Sequence, residues 1–98
     1  MRCPPGVSIA DALGPPSIGA GPLTVLRELV DEAVSVSEEQ IAEAFRFLYA
    51  RAKLAVEPAA AAPAAALLAG LVEPVPGTVL VLSGGNVSAD VAARLLAG

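Results

Sequence analysis

The apolar positions change period along the chain, and those changes mark its elements. Ile41, Ala44, Phe45, Leu48 and Ala52 recur at helical spacing and form one stripe, which predicts a helix over residues 37–54. Ser37-Glu38-Glu39-Gln40 opens it as a capping box, with the serine oxygen accepting an orphan N–H and Gln40 reaching back to the cap. Val56-Glu57-Pro58 breaks that helix, and an alanine-dominated one is expected from about residue 59 to 69, ending at Gly70. Pro63 falls near its first turn, where a lost N–H costs little. Upstream, Pro22 starts a short helix to Val30 with Leu23, Leu26, Leu29 and Val30 at helical spacing. Residues 33–36 form a short strand candidate.

Residues 78–82, Thr-Val-Leu-Val-Leu, are apolar and β-branched without the alternation of a half-exposed strand. They predict a strand buried on both faces, as in a mainly parallel sheet. Residues 87–97 close the chain as a helix with Val91, Leu95 and Leu96 on one face. Residues 1–21, with Pro4-Pro5-Gly6 and Gly14-Pro15-Pro16, read as an irregular lead-in, and residues 22–98 as the packed unit. The expected class is α/β, with about two strands and three to four helices. Two strands do not make a stable sheet of this type, so the chain either pairs with another polypeptide or belongs to a longer one.

Composition narrows the chemistry. Hydrophobic residues make up 55% of the chain, but many are alanines that bury little area, and Phe45, Phe47 and Tyr49 are the aromatic set. The net charge of −4 and scattered arginines argue against nucleic acid as a partner. Cys3 stands alone and there is no histidine, which excludes a disulfide framework, a Cys/His zinc site and histidine-dependent dyads within this sequence. The start of the chain lacks the apolar stretch of a signal peptide, and residues 58–72 are too short and proline-interrupted to span a bilayer. A cytoplasmic protein without a membrane partner is the expectation.

Ser83-Gly84-Gly85-Asn86 follows the predicted strand and precedes a helix, the place where open α/β sheets bind ligands. The glycines let a ligand approach the backbone closely, and Ser83 offers a neutral hydroxyl. The alternative is a tight strand-to-helix turn in which Ser83 or Asn86 caps the helix.

The surrounding blocks bear on that choice. Ser8-Ile9-Ala10-Asp11-Ala12-Leu13 resembles the T-I-A-D-G-L segment of the threonine dehydratase/serine racemase family. Residues 29–39, Leu-Val-Asp-Glu-Ala-Val-Ser-Val-Ser-Glu-Glu, are similar to its L-V-D-E-V-V-T-V-S-E-E. Phe45-Arg46-Phe47-Leu48 and Lys53-Leu54-Ala55-Val56-Glu57-Pro58 resemble its next helix and its E-P-S-G-A turn, and residues 82–87 its L-S-G-G-N-V signature. The blocks occur in family order and cover nearly all of the chain from residue 8.

The resemblance implies a C-terminal part of a fold-type-II (tryptophan synthase β-like) domain whose cofactor is pyridoxal 5′-phosphate (PLP). It implies that Ser83 bonds the pyridine nitrogen, that Gly84 and Gly85 permit close approach, and that Glu57 lies near the ring. A hydroxyl partner leaves that nitrogen largely neutral, which suits elimination of a β-hydroxyl. The parent activity would convert a hydroxy amino acid to a 2-oxo acid and ammonia; a serine racemase or a hydroxyaspartate ammonia-lyase is an alternative parent. For Glu57 the competing reading is a solvated carboxylate at a helix end.

The family's attachment lysine sits in an S-x-K-x-R context, whereas the one lysine here, Lys53, has Ala52 and Leu54 beside it and reads as a structural cation at a helix end. The family's phosphate-cradling glycine loop and acidic cation ligands have no counterpart in these residues. No catalytic residue or metal ligand is therefore assigned, and Asp11 and Asp31 read as turn and helix-end carboxylates. The family's glycines in A-D-G and E-P-S-G-A are Ala12 and Ala60, and Ala60 would strain its turn if a positive φ were needed there. An inactive chain is expected, either a homo-oligomer or one that complements a lysine-bearing N-terminal half; a non-catalytic module completing a partner's sheet is the alternative.

Overall fold

The computed structural model describes residues 8–10 and 18–98, and so omits the Asp11–Ala12–Leu13 part of the first block and most of the lead-in. Its helices are α1 (Ala20–Leu29), α2 (Glu38–Ala50), α3 (Ala62–Leu68) and α4 (Ala89–Ala97), with a 3-10 turn, Pro58–Ala61, leading into α3.

α2 starts where its sequence says. Gln40 N–H donates to Ser37 Oγ at 3.1 Å and Ser37 N–H to Gln40 Oε1 at 2.8 Å, so both halves of the capping box are made. Ile41, Ala44, Phe45 and Leu48 are buried, whereas Ala52 is exposed beyond the helix end. The helix stops at Ala50 rather than Leu54 because Lys53 takes a left-handed φ of 60° and the Leu54 N–H turns back to the Leu48 carbonyl at 2.9 Å. Lys53 is thus past the helix, not in its last turn, and its Nζ donates to the Ala50 carbonyl at 2.8 Å, a cation on an orphan acceptor.

The buried face of α2 packs on the 3-10 turn and α3 through Ala60, Ala61, Ala64 and Ala65. These small side chains let the two backbones approach, but each buries little, so Phe45, 2% exposed, is the largest apolar group in the cluster. α3 ends in a Schellman motif. Gly70 has φ 74°, its N–H donates to the Leu67 carbonyl at 3.1 Å, and the Leu71 N–H reaches the Ala66 carbonyl at 3.0 Å. α4 lies against α2 with Ala92, Leu95 and Leu96 turned toward the core, and Arg46 Nη1 holds the Leu95 carbonyl at 3.0 Å. α1 begins two residues before Pro22 and packs on no other helix; Val25 and Leu29 are exposed.

Among the described residues there is no strand ladder. Residues 33–36 and 78–82 have no regular secondary structure and no paired neighbour among the described residues, so the expectation of about two strands finds no support here. Leu80 and Leu82 pack against the core while Val79 and Val81 stand 81% and 71% exposed. A segment covered on one face alternates, whatever the residue types on its other face.

Residues 8–10 are fastened to the start of α2. Ser8 Oγ donates to Glu38 Oε1, the Ile9 N–H donates to Glu38 Oε2 at 3.0 Å, and Ala10 is buried behind them. Stabilised by the Ser8 hydroxyl and then by the Ile9 N–H, the Glu38 carboxylate titrates below its ordinary value of 4.5. A depressed carboxylate contributes stability above its unfolded pKa and loses it as pH falls through the folded one. Glu38→Gln is therefore expected to flatten the acid limb of a stability–pH curve below about pH 4.5, read by urea unfolding, with an unaltered acid limb as the opposing result. Lys53→Gly is expected to raise stability by about 0.5–1 kcal/mol, because glycine relieves the left-handed φ and the exposed Nζ contact contributes little. A lower urea midpoint at unchanged slope would contradict this.

Candidate cofactor-binding loop

Local structure brings two distant parts of the sequence together at residues 83–86. Leu82 anchors the loop on its near side and Val87 on its far side, both packed against the core. Between them Gly84 adopts φ 102°, a region that side chains disfavour, and the Val87 N–H turns back to the Gly85 carbonyl at 2.9 Å. Ser83, Gly84, Gly85 and Asn86 are all exposed. Neither Ser83 nor Asn86 caps α4. Ser88 does so, its Oγ accepting from the Val91 N–H at 3.2 Å, and the polar groups of the loop are left free of that task.

The opposite wall comes from residues 55–57, the connection between α2 and the 3-10 turn. The Glu57 N–H donates to the Gly84 carbonyl at 3.2 Å. Val56 is buried and Glu57 half-buried, so the carboxyl side chain leaves the core surface and lies across the loop. A Cβ built on Gly84 would collide with Glu57 Oε1 and stand 2.7 Å from Cδ; one built on Gly85 would meet the Ala55 carbonyl at an ordinary 3.5 Å. Glu57 occupies the N-cap of the 3-10 turn with backbone alone: its carbonyl accepts from Ala60 N–H at 3.0 Å and its side chain makes no cap bond.

Glu57, Ser83, Gly84 and Gly85, singled out from sequence, therefore share one place. Ala60 is buried inside the 3-10 turn without a positive φ, so the alanine there carries no strain. Lys53 stays at the end of α2 in its structural contact. The Ala55 carbonyl and Ser88 are the positions sequence reasoning passed over; Ser88 carried a readable signal as a serine immediately before an apolar-periodic segment. Among the described residues there is no cluster of metal-ligating side chains, and no helix is long and apolar enough to cross a membrane.

Comparison with known proteins identifies the family. The profile described as "Pyridoxal-phosphate dependent enzyme" matches residues 1–84, and the chain belongs to that family. It is similar to an L-threonine ammonia-lyase of Geobacter sulfurreducens, 46% identical over 89% of this chain and 22% of that protein. It is also similar to a serine racemase of Bos taurus, 38% identical over 85% of this chain and 26% of that protein. The crystal structure of a threonine deaminase from T.th. superposes with a TM-score of 0.80 at 42% identity, covering 90% of this chain and 32% of that one. The fold is that of part of a threonine deaminase, and the chain spans about a quarter of the length of these curated relatives.

Proposed function

We propose that these residues form the C-terminal part of a PLP-dependent threonine/serine dehydratase-like lyase, in which the loop 83–86 receives the pyridine end of the cofactor. The observation that carries this reading is the joining of Glu57 to Gly84 within the Leu-Ser-Gly-Gly-Asn-Val signature. The residues fit the group in three respects. Ser83 is exposed with a hydroxyl able to donate or accept, Gly85 opens the backbone, and Glu57 supplies a carboxylate at the loop's edge.

When bound, PLP supplies the electron sink for loss of the substrate's α-proton and β-hydroxyl. The part of this chain would be orientation: Ser83 would hold the ring nitrogen by a neutral hydrogen bond, the glycines would keep side chains from the ring edge, and Glu57 would fix the loop. The substrate class is a hydroxy amino acid, with serine racemase or hydroxyaspartate ammonia-lyase as alternative parents, and the setting is cytoplasmic amino acid metabolism.

Without a lysine in the attachment context, the 98 residues are expected to be inactive alone. Purified chain with PLP and L-serine or L-threonine should form no 2-oxo acid above a PLP blank, and no cofactor absorbance band that Lys53→Ala removes. A Lys53-dependent band or turnover would refute the structural assignment of that lysine. Ser83 backbone and Cβ resonances should shift on titration with pyridoxine 5′-phosphate; no shift at saturating ligand speaks against the loop as a cofactor contact.

A second reading, a non-catalytic module or split-enzyme half that completes a partner's sheet, is favoured by one observation. Val79 and Val81 are exposed on a segment whose backbone has no ladder partner among the described residues. Co-purification with a polypeptide bearing the lysine half supports it, and a folded, soluble monomer opposes it; a homo-oligomer would bury the same valines against a second copy.

A further inference from the structure

The two glycines of the loop are not equivalent, and their difference assigns a role that the family motif does not. Gly85 has room: a Cβ there meets one carbonyl at van der Waals distance. Gly84 differs: the far end of the Glu57 side chain stands where its Cβ would be and would have to move aside, and its φ of 102° disfavours a side chain whatever the space. The same residue pair shares the backbone bond from Glu57 N–H to Gly84 O at 3.2 Å. Among the described residues the Glu57 carboxylate accepts no hydrogen bond, in contrast to Glu38 with its two. Its orientation therefore follows from where it is seated: over the bare α-carbon of Gly84.

We propose that Gly84 is a positioning residue, whose bare α-carbon and carbonyl form a two-point clamp with Glu57 that seats the Glu57 carboxylate against the loop carrying Ser83. The clamp couples the 3-10 turn, and through it α2, to a loop that no ladder or helix holds. Its functional meaning rests on the cofactor reading above, but the clamp itself is testable without ligand.

The test is amide hydrogen exchange with the Ser83 Cβ chemical shift, measured on the full 98-residue chain and three variants without ligand. In the parent chain the Glu57 amide is protected. In Gly84→Ala it exchanges about tenfold faster or more and Ser83 Cβ moves, while Phe45 and Leu48 amides keep their protection. Gly85→Ala changes both signals by less than about twofold. Gly84→Ala combined with Glu57→Ala removes the collision and leaves the left-handed φ, so it recovers only the share of the amide protection and of the Ser83 shift that the collision cost.

An unprotected Glu57 amide in the parent chain overturns the proposal, as do equal effects of the two glycine substitutions. Should Gly84→Ala unfold α2 as well, the parent chain and Gly85→Ala decide: a protected Glu57 amide in both supports the clamp and an unprotected one refutes it. Titration of the parent chain with pyridoxine 5′-phosphate then separates the two ideas. A protected Glu57 amide with no ligand-induced shift keeps the clamp and removes the cofactor reading.

Discussion

The candidate site depends on one packing contact, the apolar stripe of α2 laid on the alanine surface of the 3-10 turn and α3. The connection between those elements, residues 51–57, is fixed at both ends by that contact and carries Val56 into the core. Glu57 is the next residue, so its N–H points at the Gly84 carbonyl because the helices behind it are in place. Leu80, Leu82 and Val87 pack on the same cluster from either side of the loop. A core made mostly of methyl groups leaves little to spare: beside the alanines, the buried apolar side chains are Ile41, Phe45, Leu48 and Val56 among the described residues.

Polar groups at the element ends complete this arrangement. Ser37 with Gln40, and Ser88, satisfy helix starts; Lys53 and Arg46 bond carbonyls at or near helix ends; Glu38 ties residues 8–10 to α2. Each of these is a short or exposed contact of modest worth. Ser88 among them frees the side chains of loop 83–86 from capping α4. A loop whose serine and asparagine had to cap α4 would have no hydroxyl left to offer a ligand.

The helices were legible because capping boxes, apolar stripes and proline positions are local signals. Ser37-Glu38-Glu39-Gln40 and the 41-44-45-48 stripe read directly into α2. The end of α2 was not, because nothing in Ala52-Lys53-Leu54 announces that a lysine will adopt a left-handed φ; a glycine would have. The segment 78–82 reads as covered on both faces, whereas the described residues cover one, which is a property of its neighbours rather than of its own residues. The meeting of Glu57 with Gly84 was legible only by family resemblance. The two are separated by all of α3, and no spacing rule connects them.

That meeting also explains which glycines this chain retains. At position 60 the family's glycine is replaced by alanine, and the structure accommodates it: the residue is buried in a 3-10 turn without a positive φ, where a methyl group adds to the alanine surface facing α2. At position 84 the same replacement would meet a left-handed backbone, and the end of the Glu57 side chain would have to leave the space of the methyl. Alanine stands at 60, where the backbone is helical, and glycine at 84, where it is left-handed. Small residues in this chain thus divide by physical demand, some providing close helix packing and Gly84 providing room for a neighbouring side chain, and only the second kind lies at the candidate site.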